Sequence, residues 1–132
     1  MNIFSIQDKL VADWNPEIRS VVEIWSDYEL VLEDFRKAIF VKSINHAKAS
    51  QAKGWIFDGS QAKGAFSEEI QAFIDGNRFP AFAWAGLKYF VTINPSVSEA
   101  TKVETSQDTR GLEWVELPSI EAAAQWIKAQ AD

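Results

Sequence analysis

The chain contains no cysteine, which excludes disulfides, thiolate metal sites and thiol nucleophiles together. It has a single histidine, His46, so a histidine-rich metal set cannot be assembled, and the acidic residues are scattered rather than grouped in a loop. No Gly-x-Ser-x-Gly elbow points to a nucleophilic triad. Lysine and arginine form no cluster and the net charge is −6, which removes the electrostatic footprint that nucleic acid or an anionic membrane surface requires. No run approaches the roughly 18 to 20 apolar residues of a membrane span. The first residues, Met1 to Asp8, lack the basic region and apolar stretch of a signal peptide, and the reading is a cytoplasmic protein. No cofactor is implied.

What is present is a globular composition. Hydrophobic residues make up 47% of 132 and charged residues 24%, which suits one domain over 1–132 with one core. Six tryptophans and nine phenylalanines supply large rigid groups for that core or for an interface.

Along the chain, Lys9–Trp14 and Ser20–Trp25 are β-rich runs around an Asn15-Pro16 turn signal, and they predict an antiparallel hairpin. Ser26 with Glu29 has capping-box spacing and predicts a helix whose apolar stripe is Tyr28, Val31, Leu32, Phe35, Ala38 and Ile39. His46 falls late in that helix among polar residues and reads as a surface position. Gly54 ends the segment, and Trp55-Ile56-Phe57 predicts a central strand covered on both faces. Ser67 is placed to cap a second helix with Glu68 and Glu69 in its first turn, ending at Asp75-Gly76-Asn77; a further helical piece starts near Pro80. Leu87–Asn94 alternates as a strand, Pro95–Val103 predicts a weak third helix, Leu112–Leu117 a last strand, and Ser119 a cap for the closing helix. The expected order is β-β-α-β-α-β-α-β-α, an α/β fold with a mostly parallel five-stranded sheet and one antiparallel N-terminal edge strand.

That order, with Val22-Glu-Ile-Trp25, Gly54-Trp-Ile-Phe-Asp58, Gly86-Leu-Lys-Tyr-Phe-Val91 and Pro118 to Ile127 at their respective places, resembles the STAS domains of the anti-sigma factor antagonist type, in particular divergent bacterial STAS-like proteins. The resemblance spans nearly the whole chain and rests on hydrophobic patterns in sequence order. It implies a β-α superhelix, related in fold to the CRAL-TRIO lipid-transfer domains, and a non-enzymatic interaction module. In the phosphorylated members an Asp ends the third strand and a Ser follows it. Here Asp58 matches the Asp, and Ser60 or Ser67 stands near the Ser, while the Asp-Ser-Ser-Gly run is replaced by Asp58-Gly-Ser-Gln-Ala-Lys-Gly64.

The candidate binding residues are therefore Asp58, Gly59, Ser60, Lys63, Phe66 and Ser67 around this loop, together with Phe82 and Trp84. A phosphate on Ser60 or Ser67 would lie near a helix N-terminus with Lys63 close in sequence; the reading preferred for the same serines is an ordinary turn residue at 60 and an N-cap at 67. Gly59 and Gly64 have P-loop spacing, but Ala65-Phe66 replaces the Lys-Ser/Thr that such a loop needs. Phe66, Phe79, Phe82 and Trp84 are either core or part of a partner surface or small apolar pocket. The function expected is binding of a protein partner or a small apolar ligand through the loop after the third strand, by a monomer or homodimer. The alternative is a carrier of a small apolar ligand or lipid.

Overall fold

A computed structural model describes residues 1–131. Its centre is one mixed sheet of seven strands in the order β1-β2-β3-β4-β5-β7-β6, formed by β1 (Asn2–Ile6), β2 (Leu10–Asn15), β3 (Ser20–Trp25), β4 (Gly54–Asp58), β5 (Tyr89–Ile93), β6 (Thr101–Lys102) and β7 (Glu113–Leu117). β3, β4, β5 and β7 run parallel, while β1, β2 and the two-residue β6 are antiparallel additions at the edges.

The α/β class holds, and four of its details are corrected. The sheet has seven strands rather than five, and only three of its six pairings are parallel. The hairpin of β2 and β3 is present, but β1 lies outside it, so β2 is an inner strand. No helix forms over 95–103. Asn94 accepts the Ser96 N–H on its side chain and the Val97 N–H on its carbonyl, which closes a turn, and the chain then adds β6 to the outer edge of β7. Finally, Asp75-Gly76-Asn77 does not stop the second long helix: α3 runs unbroken over Glu68–Trp84 with Pro80 inside it.

The first crossover starts late. Asp27 accepts the Glu29 N–H instead of Ser26 forming a capping box, and the helix opens as α1 (Leu32–Phe35). It then widens into π winding over Arg36–Ser43 and returns to α geometry as α2 (Ile44–Ala49). The wider turn is visible in the Ile44 N–H donating to the Ile39 carbonyl, and in Ser43 Oγ, which donates to the Ala38 carbonyl at 2.8 Å. Such winding is rare and concentrates at functional sites. α4 (Ile120–Ala129) closes the fold, its first turn capped by Ser119, which accepts the Ala122 N–H.

Strand alternation sorts the side chains. Val21, Trp25, Trp55 and Phe90 point to one face, under α1, α2 and α3. Val22, Ile56, Val91, Val115 and Leu117 point to the other, where Ala123 and Ile127 of α4 cover them. Each fully buried ring or branched aliphatic contributes about 1.5–3 kcal/mol relative to exposure, so both faces are strongly driven. Glu23 shares the aromatic face with Val21 and Trp25, and it is 4% exposed.

Candidate functional site

The carboxyl ends of β3 and β4 open toward the segment 26–28 and the loop 59–66, the position at which open α/β sheets collect ligands. That loop is pinned rather than loose. Lys63 donates its N–H to the Ser26 carbonyl and accepts the Tyr28 N–H, making a parallel bridge between Asp27 and Lys63. Gly64 takes a φ of 75°, which a side chain would resist. Asp27 also receives Lys9 Nζ at 3.1 Å, and the Glu29 N–H bond and then that lysine hold its carboxyl below the ordinary range.

The sequence candidates fall into three places. Asp58 accepts both the N–H and the hydroxyl of Ser60, at 2.9 and 2.6 Å, so the pair forms an Asx turn. Gly59 lies against Tyr28, whose phenol oxygen fills the space a side chain at 59 would need. Ser67 caps α3 by accepting the Ile70 N–H at 3.1 Å, and the Lys63 side chain is 80% exposed, 3.9 Å from the Asp27 carboxylate. Phe66 turns inward onto Trp25, Tyr28 and Phe35. Phe82 is fully buried between Trp55 and Phe90. Trp84 is on its own: it directly precedes the turn into β5, at the amino ends of the parallel strands, 55% exposed beneath Lys48 Nζ at 4.6 Å. The loop, the buried Phe82 and the exposed Trp84 are not one surface. His46 is half-buried, edge-on to Trp14, rather than a solvated surface residue.

Three residues outside the sequence candidates organise the space beneath the loop. Glu23 Oε2 accepts the Trp25 indole N–H at 2.5 Å, and Oε1 accepts that of Trp55 at 2.7 Å. Burial drives the Glu23 carboxyl upward, opposed by the two indoles and by Arg78. The Arg78 guanidinium lies 4.8 to 5.3 Å from the rings of Phe79, Phe90 and Trp114, and its buried Nε–H has no acceptor among the described residues. Burial lowers its pKa, and the charges of Glu23 and Asp75 partly restore it. The Tyr28 phenol is pushed up to about 12 by burial, with the Glu23 and Asp58 carboxylates adding to the shift. The signals were present in the sequence. Glu23 interrupts an apolar strand on the side of Val21 and Trp25, and Arg78 continues the helical row of Ile70 and Ile74.

Two spaces meet at these residues. A surface cleft of about 340 Å³ is bounded by Tyr28, Phe57, Gly64, Phe66, Gln71 and Arg78. Behind it is a chamber of about 20 Å³ bounded by Glu23, Phe40, Phe57, Arg78 and Phe82, with Ile39 and Phe40 coming from the π-wound segment. Phe57, Ile74 and Arg78 are walls of both. A larger polar groove of about 650 Å³ follows 102–114 at the other edge of the sheet, and it contains no buried charged side chain. Among the described residues no group of three or more His, Asp or Glu side chains could hold a metal ion, and no helix is long and apolar enough to cross a membrane.

No protein-family model matches the chain, and neither a curated protein nor a solved structure matches it.

Proposed function

We propose that the protein is a non-enzymatic binding module, STAS-like in the order of its parallel core, that receives a partner or small ligand in the cleft between the loop after β4 and the first turns of α3. The observation that carries this reading is the cleft itself: about 340 Å³ at the carboxyl ends of β3 and β4, walled by aromatic rings with Arg78 at its back. Its loop is held in place through Lys63, so the surface is preorganised. Ser60 works against a phosphoswitch at that position, because its hydroxyl is committed to Asp58 and a phosphate would stand against that carboxylate. Recognition through shape and aromatic contact fits better. The lipid-carrier alternative is less favoured, since the chamber of about 20 Å³ holds a group the size of one water and no acyl chain.

The test is capture from native lysate, with mass spectrometry of bound proteins and small molecules, comparing the wild type with Gln71→Trp. Gln71 is exposed at the cleft mouth, so a tryptophan there fills the cleft while leaving the core alone. Species retained by the wild type and lost from the variant support the reading. Equal retention by both would remove the cleft from consideration.

A further inference from the structure

We infer that the cleft takes a small, largely apolar molecule carrying one hydroxyl, an alcohol or a phenol, with that hydroxyl seated in the chamber between Glu23 and Arg78; this rests on the cleft being the binding site. The chamber decides the polar group. At about 20 Å³ it admits one heavy atom with its hydrogen. Its polar walls make two different demands. Each Glu23 oxygen accepts one indole N–H and keeps capacity for a further donor. Arg78 Nε–H, buried in the wall, needs an acceptor.

A hydroxyl meets both demands with a single oxygen, donating to Glu23 and accepting from Arg78. The other common terminal groups fail on one side. A carboxylate has two oxygens to place and sets its charge against Glu23. An ammonium has no lone pair for Arg78 and adds a cation beside it. A methyl satisfies neither group, leaving the Nε–H unpaired at a cost of about 1–3 kcal/mol. The body of the ligand is set by the outer cleft, where Tyr28, Phe57, Phe66 and Ile74 offer ring faces and aliphatic surface, in a volume near the lower end for small-molecule sites. The π winding has a place in this account, because it brings Ile39 and Phe40 to the chamber wall.

The experiment titrates the full-length, ¹⁵N-labelled protein with 2-phenylethanol, ethylbenzene and phenylacetate, following the indole resonances of Trp25 and Trp55, whose N–H groups end on Glu23. The alcohol is expected to move both resonances saturably and to bind about tenfold tighter than ethylbenzene, the worth of one hydrogen bond to a charged group. Phenylacetate should bind no tighter than the hydrocarbon. In Arg78→Met the alcohol and hydrocarbon should converge to within about threefold; the comparison among the three probes on the wild type stands without this variant. Equal affinity for alcohol and hydrocarbon, tightest binding of the carboxylate, or indoles unmoved at saturation would each overturn the assignment. Saturable shifts confined to the amides of Phe66 and Gln71 would retain the cleft as a binding site and reject the seated hydroxyl. If no probe binds, the small-molecule reading of the cleft fails with it.

Discussion

Trp55 on β4 donates its indole N–H across 2.7 Å to Oε1 of Glu23 on β3, and Trp25 donates to the other oxygen of the same carboxyl. One buried acid thus joins two strands through the largest side chains in the core. A carboxylate in such a place costs desolvation energy and is retained only with good partners, so its removal is informative.

Glu23→Ala should lower unfolding stability by about 2–5 kcal/mol, because two buried indole donors lose their acceptor and a cavity is left. Glu23→Gln should cost less, since one amide oxygen can still accept an indole N–H. Urea unfolding of both variants checks the order.

The same carboxyl gives the pH dependence a definite sign. Burial raises the Glu23 pKa above its ordinary 4.5, so the native state holds this proton at pH values where the unfolded chain has released it. Well below 4.5 both states are protonated, so the contribution of this proton to stability is fully present and does not vary with pH. As pH rises from there through the native pKa, stability falls, because the unfolded state then binds fewer protons. The difference in stability between wild type and Glu23→Gln should therefore shift against the wild type over that window and flatten above it. A difference that is constant with pH would show that Glu23 is not perturbed.

Gly59 is fixed by its neighbour rather than by its backbone angles. A methyl there would overlap the Tyr28 hydroxyl and stand 3.1 Å from the Phe57 ring, so Gly59→Ala should destabilise by about 1–3 kcal/mol. Tyr28→Phe removes the oxygen in question, and the double variant should recover part of the loss. Thermal unfolding of the four species gives the coupling.

Ser67→Ala should cost about 1 kcal/mol, since the first turn of α3 loses its only side-chain cap. Ser60→Ala should cost less, because the Asp58 carboxylate still accepts the backbone N–H of residue 60. Measuring both in one denaturant series separates the cap from the turn.

Most of the parallel core was legible because its inner strands are largely apolar and its first two crossovers carry helical signals, as in Trp55-Ile56-Phe57 and in the Ser67 cap. What escaped was set by tertiary packing. Asn2–Ile6 alternates too weakly to announce a strand, yet it pairs with β2 in antiparallel register. Asp75-Gly76-Asn77 has the letters of a turn, but Ile70, Ile74, Phe79 and Phe82 are buried along one helix, and that burial outweighs the cost of Gly76 and Pro80. Over 95–103 the apolar content is thin, and the local bonds of Asn94 favour a turn over a helix. The site divided in the same way. The loop after β4 was found from strand position, whereas Glu23 and Arg78 come together only through the pairing of β3 with β4 and the packing of α3.

The most direct test of the account follows the six tryptophan indole resonances across pH. Trp25 and Trp55 both donate to one buried carboxyl, so their ¹H–¹⁵N signals should move together, with one shared midpoint above 4.5, and both should lose that titration in Glu23→Gln. Separate midpoints, or two resonances that stay fixed while the protein remains folded, would contradict the buried acid in the chamber beside the cleft.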